Sequence, residues 1–163
     1  MDFEIREMQS DDAARILEIF RQGIEGGNAT FDKEVPSWEF WDKKFFKVCR
    51  WVLEDENGVV QAWAAIQPVS ARDCFSGVAE VSIYLSNDIQ GKGLGEIMLK
   101  KLVLSSEENG FWMLQSGIFP ENLASIRVHQ KLGFREVGYR EKIAEMNGKW
   151  RDIILMERRS NKL

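Results

Sequence analysis

Cysteine, proline and histidine are scarce in this chain of 163 residues, which contains two, three and one of them respectively. The two cysteines, Cys49 and Cys74, lie far apart, which argues against a disulfide framework or a cysteine metal cage and indicates free thiols in a reducing compartment. No apolar run approaches the roughly 18 residues of a membrane span. The first residues also lack the basic-then-apolar order of a signal peptide. These absences predict a cytoplasmic protein that does not associate with a membrane.

An excess of basic residues is also missing, because the net charge is −4. The chain therefore has no overall basic footprint for nucleic acid or an anionic lipid surface. Apolar residues make up 44% and charged residues 29%, as in an ordinary globular protein. The length suits one domain over residues 1–163. Any polyanion that this protein binds has to be held by local geometry.

Hydrophobic periodicity predicts an α/β fold of the α+β mixed-sheet kind, with seven strands and four helices. The predicted strands start at Phe3 and then cover 50–54, 59–66, 79–85, 113–118, 134–145 and 149–157. The predicted helices run from Ser10 to Gly26, from Ser37 through an aromatic segment, over 94–107 and over 121–132. The order β-α-α-β-β-β-α-β-α-β-β indicates a sheet that is antiparallel towards both ends, with helices on its faces. Three consecutive strands in the middle argue against a doubly wound nucleotide fold.

A glycine-rich run, Gln90-Gly91-Lys92-Gly93-Leu94-Gly95, separates the strand 79–85 from the amphipathic helix 94–107. Such a turn directs several backbone N–H groups to one place, and the helix dipole adds positive potential there. The run is consistent with a phosphate site or with a plain tight turn. A Walker-type phosphate loop is excluded because no Ser or Thr follows Lys92 to hold magnesium. No suitably spaced acidic metal pair occurs elsewhere, so no metal site is predicted.

Three segments together resemble the GNAT superfamily of N-acetyltransferases. Gln90-x-x-Gly93-x-Gly95 is similar to its acyl-CoA signature, and Asn122-x-x-Ser125-x-x-x-His129-x-x-x-Gly133-Phe134 is similar to its second cofactor helix. The ending Met146-Asn147-Gly148-Lys149-Trp150-Arg151-Asp152 resembles the phosphinothricin/methionine sulfoximine acetyltransferase branch, as do Ala29-Thr30-Phe31 and Glu80-Val81-Ser82-Ile83-Tyr84. The resemblance covers nearly the whole chain in order. It implies a GNAT fold and acetyl-CoA as the cofactor.

The cofactor contacts follow partly from physical reasoning and partly from this resemblance. Backbone N–H groups at the helix start can surround the CoA diphosphate, with Lys92 as a nearby cation and Gln90 as a hydrogen-bonding side chain. The residues with these N–H groups are Gly91, Lys92, Gly93, Leu94, Gly95 and Glu96. The strand residues Ile83, Tyr84 and Leu85 offer backbone groups to the pantetheine amides. The family also implies that Asn122 and Ser125 lie beside the pantetheine arm, and the alternative is that they cap a helix.

Glu80 is the candidate general base for an amine that is mostly protonated at neutral pH. Glu80, Ser82 and Tyr84 alternate with apolar residues, so they share one strand face, and a partly buried carboxylate there can relay a proton. The alternative is a structural ion pair, for example with Arg72. His129 occupies a position where most of the superfamily has tyrosine, and it is a candidate acid or second base, with a purely structural packing role as the alternative. Backbone N–H groups near Leu85 are the expected donors to the oxyanion.

The predicted acceptor site takes its residues from three separate segments. Arg72 can grip a carboxylate in a bidentate pair, Thr30 and Phe31 form the opposite wall, and Met146 and Asn147 belong to a closing hairpin. Trp150 in that hairpin is either part of this closure or hydrophobic core.

The predicted reaction is acetyl transfer to the α-amino group of a small amino-acid-like molecule of the phosphinothricin, methionine sulfoximine or methionine sulfone type. It proceeds by direct attack in a ternary complex, because neither cysteine lies in the site strand or turn. A homodimer is expected from family precedent. The alternatives are acetylation of protein N-termini or polyamines, and a CoA-binding sensor without catalysis.

Overall fold

The computed structural model describes residues 2–163 and contains seven strands and four helices in the predicted order. The strands are β1 (Phe3–Glu7), β2 (Trp51–Asp55), β3 (Val60–Pro68), β4 (Val78–Leu85), β5 (Met113–Ile118), β6 (Arg135–Met146) and β7 (Lys149–Arg159). The helices are α1 (Ala13–Gly26), α2 (Trp38–Lys44), α3 (Leu94–Glu108) and α4 (Leu123–Lys131). The predicted fold class and element order are therefore confirmed.

Local capping chemistry explains where the first helices begin and end. Gly27 ends α1 in the left-handed conformation with φ 78°, which glycine adopts without steric cost. The Ser37 side chain accepts a hydrogen bond from the Phe40 N–H at 3.2 Å and begins α2. The predicted start of α1 at Ser10 is wrong, because Ser10–Asp12 form a 3-10 turn. There, the Asp12 carboxylate accepts a hydrogen bond from the Gln9 N–H at 2.7 Å and closes the turn before the α-helix begins.

The seven strands form one sheet in the order β1-β2-β3-β4-β5-β7-β6. All neighbouring strands are antiparallel except β4 and β5, which are parallel. Strand β3 is buried from Val60 to Ile66, as expected for a strand that helices cover on both faces. Apolar residues of α1 and α2 pack on one face, and those of α3 pack on the other. Across residues 2–163, none of the helices combines the length and the hydropathy that crossing a bilayer requires.

Two apolar clusters fill the space between the sheet and its helices. On the α3 face, Met98, Leu99 and Leu102 are fully buried against strand residues such as Ile66. On the α1/α2 face the core is mainly aromatic, with Trp41 edge-on to Trp63 at a centroid distance of 5.2 Å. Burying one such side chain stabilises the fold by about 1.5–3 kcal/mol. In helix α2, Trp41 is buried in this cluster, whereas Phe40 stays 62% exposed.

The parallel strands β4 and β5 separate after a short paired segment. Within residues 2–163, their ladder holds three pairs, from Val78 opposite Met113 to Glu80 opposite Gln115. Beyond Glu80, β4 continues to Leu85 while still paired with β3, and β5 continues to Ile118 while still paired with β7. The sheet therefore opens between its central strands, and one edge of each strand faces the opening.

Candidate active site

A cavity of about 650 Å³ lies on the α1/α2 side of the sheet at the place where β4 and β5 separate. Its walls come from the segment after α1, helix α2, the central strands, helix α4 and the hairpin β6–β7. The lining includes Thr30, Phe31, Glu80, Ser82, Ile83, Tyr84, Asn122, Ser125 and His129. The cavity thus brings together predicted site residues from three separate parts of the sequence.

The carboxylate of Glu80 lies at the last rung before the strands separate. The predicted shared face is confirmed, because Glu80, Ser82 and Tyr84 all line the cavity. The Gln67 amide donates a hydrogen bond to Glu80 Oε2 at 3.4 Å from the neighbouring strand. Among the ion pairs of residues 2–163, none joins Glu80 to Arg72, so the structural ion pair considered as an alternative is wrong.

The backbone of β4 presents alternate residues to the opening. The Ser86 N–H donates to the Gln61 carbonyl at 2.8 Å, so Ser86 points its backbone groups towards β3. Because backbone direction alternates along a strand, Tyr84 also points towards β3, whereas Ile83 and Leu85 direct their N–H and C=O groups into the opening. The prediction that all three residues offer backbone groups is therefore corrected at Tyr84. Its ring instead stacks on Trp63 at 4.8 Å, and burial raises the pKa of the Tyr84 hydroxyl.

The glycine-rich loop joins β4 to α3 in the conformation that its sequence predicts. Gly91 and Gly93 both have φ 77°, and no heavy atom lies within 4 Å of a Cβ built on either residue. Gly93 is the N-cap of α3, and within the described residues no side chain caps this helix start. The N–H groups of the first turn, from Leu94 to Glu96, are therefore free to bind an anion. This geometry leaves space for an anion, and the phosphate-binding role of the loop stays a prediction.

Side chains around this loop fix its position. The buried Ser86 hydroxyl donates to Gln61 Oε1 at 2.6 Å, and the Asn87 N–H donates to Gln22 Oε1 at 2.8 Å. Gln90 points its amide back to the Leu85 carbonyl at 3.5 Å, so in this structure it braces the loop. Glu96 forms an ion pair with Lys131 at 2.9 Å, which offsets a negative charge near the helix start.

His129 is buried on α4 and has one nitrogen without a partner. Its Nδ1 lies 2.7 Å from the Ser125 carbonyl oxygen, which only accepts, so Nδ1 carries the proton. The other nitrogen, Nε2, is buried and has no hydrogen-bond partner among the described residues. Burial lowers the pKa of His129, although the hydrogen bond to Ser125 opposes this effect. Neutral His129 therefore offers a bare acceptor, which suits a base better than the acid that we also considered.

The capping alternative for Asn122 is confirmed. Its Oδ1 accepts a hydrogen bond from the Ser125 N–H at 3.2 Å at the start of α4, and its Nδ2 donates to the Asn28 carbonyl at 3.3 Å. Asn122 and Ser125 both line the cavity as well. The ligand role of these two residues stays a prediction.

Several predicted acceptor residues lie outside the cavity. Arg72 is exposed, and its guanidinium lies over the Phe75 ring at 5.4 Å, because the loop after β3 carries it away from the cavity walls. Met146 and Asn147 form the tip of the β6–β7 hairpin, which extends past the end of β5. Trp150 is 61% exposed at the same tip. Within one chain it therefore belongs neither to the hydrophobic core nor to the cavity wall.

The cavity also has lining residues that sequence reasoning missed. They are the acids Asp32 and Glu34, the cations Lys44 and Arg140, and apolar residues that include Phe40, Phe119 and Ile143. Arg140 stands opposite Ile153 in the β6–β7 ladder, so the two side chains share the cavity face. Only the strand register reveals this position, and that register contains shifts at two places in β6. For Asp32 and Glu34, their closeness to Phe31 in sequence was the available signal.

Comparison with protein families identifies the chain. Residues 14–134 match the model of the acetyltransferase (GNAT) family, a segment that runs from α1 to the end of α4 and includes the glycine-rich loop. The chain belongs to this family. The match contains Glu80, the loop and His129, whereas the β6–β7 hairpin lies beyond it.

Individual relatives of this GNAT chain agree with the family match. It is 33% identical to the L-amino acid N-acyltransferase MnaT of Escherichia coli over 106 residues, which cover 65% of this chain and 62% of that protein. It is 27% identical to the phosphinothricin N-acetyltransferase of Streptomyces viridochromogenes over 95% of this chain and 86% of that one. A GNAT superfamily phosphinothricin acetyltransferase from Sinorhizobium meliloti, solved in complex with AcCoA, superposes with a TM-score of 0.89 at 29% identity and covers 98% of this chain and 89% of that one.

The buried histidine of this GNAT chain leads to a prediction about stability and pH. His129 is its only histidine, and burial lowers its pKa below the ordinary value of 6.5. Between the two pKa values the unfolded chain binds more protons than the folded one, so the free energy of unfolding rises with pH and levels off above about 6.5. We expect His129→Gln to flatten this rise. Urea unfolding at several pH values from about 5 to about 7.5 measures this pH dependence. An equal slope of the free energy of unfolding against pH in the wild type and in His129→Gln would contradict the lowered pKa of His129.

Proposed function

We propose that this chain is an acetyl-CoA-dependent N-acetyltransferase that acetylates the α-amino group of a small amino-acid-like molecule. The observation that carries the proposal is the shared cavity, which joins Glu80 and His129 to the opening between β4 and β5. That opening leads along β4 to the glycine-rich loop. The six residues from Glu80 to Leu85 span roughly 17 Å in extended conformation, which suits an extended pantetheine arm.

The residues present fit the cofactor at both of its ends. The free N–H groups from Leu94 to Glu96, together with the loop backbone from Gly91 to Gly93, would hold a diphosphate, with Lys92 beside them. The backbone groups of Ile83 and Leu85 would pair with the pantetheine amides as a missing strand does. Bound acetyl-CoA supplies an activated acetyl group as a thioester. Near the opening, the β4 N–H groups are then the donors towards its carbonyl oxygen.

Glu80 and His129 divide the proton transfers in this proposal. Glu80 accepts the proton of the acceptor ammonium, directly or through a water molecule, so that the free amine can attack. Neutral His129 has an unpaired Nε2, which can also take a proton and return it to the leaving thiolate. Attack is direct in a ternary complex, because Cys49 and Cys74 both lie outside the cavity lining. The low nucleophilicity of Cys49 agrees with this route, since burial raises the pKa of its thiol.

The charges of the cavity favour one kind of acceptor. Asp32, Glu34 and Glu80 contribute three carboxylates to the lining, against two cations from Lys44 and Arg140. Aromatic, aliphatic and uncharged polar residues form the remaining wall. An amino acid with an uncharged side chain, such as methionine sulfone or methionine sulfoximine, therefore fits better than phosphinothricin, whose phosphinate adds a negative charge.

An acceptor panel tests both the activity and this preference. Thiol release from acetyl-CoA is followed with methionine sulfone, methionine sulfoximine, phosphinothricin, a peptide N-terminus and a polyamine. We expect kcat/KM for methionine sulfone to exceed that for phosphinothricin by about tenfold, or ~1.4 kcal/mol. Glu34→Gln should narrow this gap, and so should high salt. Peptide or polyamine turnover above that of the amino acids would contradict the acceptor class, and acetyl-CoA binding without turnover would indicate a sensor.

A homodimer in the cytoplasm is part of the same proposal. Strand β6 is an edge strand whose apolar residues Val137, Tyr139 and Ile143 are 44%, 53% and 42% exposed, which is typical of a surface that a second copy covers. Trp150 at the hairpin tip is a further exposed aromatic side chain. Both cysteines are free thiols, as expected in a reducing compartment.

A further inference from the structure

One arginine on β7 fastens an irregular segment that forms a wall of the cavity. Arg151 donates from Nη1 to the Gly27 carbonyl at 2.9 Å and from Nη2 to Asn28 Oδ1 at 2.8 Å. Its guanidinium also lies over the Phe119 ring at 4.0 Å and forms an ion pair with Glu121 at 3.3 Å. The side chain is only 14% exposed. These contacts join parts of the chain that are 123 and 124 residues apart in sequence.

The fastened segment has little structure of its own. Residues 28–31 lie between α1 and α2 without belonging to a helix or strand, and all four line the cavity. Apart from Arg151, Asn122 also reaches this segment, through a hydrogen bond to the Asn28 carbonyl at 3.3 Å. Phe31 packs edge-on against Phe119 at 4.9 Å, and Phe119 is the ring on which Arg151 rests. Arg151 therefore supports the wall both through the backbone before it and through the ring behind it.

We propose that Arg151 is a positioning residue that holds the 28–31 wall in place and thereby sets the affinity for the acceptor amine. This inference rests on the proposed acetyl transfer. It gives the β6–β7 hairpin a role in acceptor binding through Arg151, although the exposed tip of that hairpin does not line the cavity. The planar guanidinium suits the task, because two donors engage adjacent residues while its face rests on an aromatic ring. The glycine-rich loop lies elsewhere along the opening, so cofactor affinity should not depend on Arg151.

The test compares Arg151→Met, Arg151→Lys and Arg151→Ala with Arg135→Met. Arg135 lies on the same hairpin and forms an exposed ion pair with Glu157 at 3.0 Å, so its replacement removes a charge without touching the wall. For Arg151→Met we expect an acceptor KM about tenfold higher, equivalent to the loss of a few weak contacts. We expect the KM for acetyl-CoA to stay within about twofold of its original value, and kcat to change less than the acceptor KM. The acceptor KM of Arg151→Lys should lie between those of the wild type and Arg151→Met. Lysine keeps the positive charge but lacks the pair of guanidinium donors.

Two further measurements separate positioning from general damage. Amide hydrogen exchange at residues 28–31 should become faster in the Arg151 variants and stay unchanged in Arg135→Met. In Arg151→Ala, guanidinium ion at a non-denaturing concentration should fill the vacated space and restore slow exchange together with a low acceptor KM. Equal rises of both KM values, or unchanged exchange at 28–31, would overturn the proposal. If the wild type acetylates no acceptor while exchange responds as expected, acetyl transfer fails as the function and the wall contact stands.

Discussion

Glu80→Gln is expected to lower kcat by about 10²–10⁴-fold, the range for loss of a positioned general base. The side chain keeps its size and its place opposite Gln115, so the cavity should retain its shape. What is lost is the acceptor for the ammonium proton. The residual rate of the variant should therefore rise with pH as the acceptor amine deprotonates in solution. Steady-state kinetics from neutral to alkaline pH measure both effects.

Glu34→Gln is the matched control for this substitution. Glu34 also lines the cavity, so its replacement removes one carboxylate from the same cavity and leaves Glu80 unchanged. We expect its kcat to stay within about threefold of the original value. Acetyl-CoA affinity should be unchanged in both variants. A Glu80→Gln protein with nearly full kcat would exclude Glu80 as the base, whatever its position.

Gly93→Val is expected to raise the dissociation constant for acetyl-CoA by about 10²-fold or more, which corresponds to ~2.7 kcal/mol. The added side chain would occupy the space in front of the α3 N-terminus, where the structure leaves room for a diphosphate. A β-branched residue is also strained at the φ of 77° that Gly93 adopts, which disturbs the N–H groups behind it. Isothermal titration calorimetry with acetyl-CoA measures the loss.

Gly110→Val separates this effect from backbone strain. Gly110 lies just past the other end of the same helix with φ 84° and no atom within 4 Å of a built Cβ. Its substitution carries the same strain, and we expect a similar fall in melting temperature for both variants. Cofactor affinity should fall in Gly93→Val alone. Equal affinity in the two variants, at equal stability, would mean that the loop does not hold the diphosphate.

Sequence periodicity predicted most elements because the helices and strands of the core bury a regular apolar face, and β6 is the exception because it is largely exposed. The runs around Ile16 and Met98 follow helical spacing, and β3 is apolar from Ala62 to Ile66 since it is covered on both faces. The glycine-rich loop between β4 and α3 could also be predicted from the sequence, because Gly91 and Gly93 adopt the left-handed conformation that other residues avoid. Local signals of this kind need no knowledge of the distant chain.

The remaining parts of the site depend on contacts between distant segments. The side chain of Arg72 was expected in the acceptor site from its closeness to β4 in sequence, but the loop geometry directs it onto Phe75. Arg140 lines the cavity, and Arg151 supports one of its walls, only because of the register of β6 with β7. That register shifts at two bulges. No single-sequence pattern determines where a strand pair slips by one residue. For the same reason, the separation of β4 from β5 was not predicted.

The separation of those two strands has a consequence for how this protein can change over time. Under the proposed function, Ile83 and Leu85 hold the cofactor arm through peptide groups, which every residue except proline carries in full. The side chains of Ile83 and Leu85 can therefore change in evolution together with the core around them. Recognition of the pantetheine arm would survive most substitutions at these two positions. Acceptor choice rests instead on side chains scattered over the irregular wall and the last hairpin, so it can diverge quickly while cofactor use stays fixed.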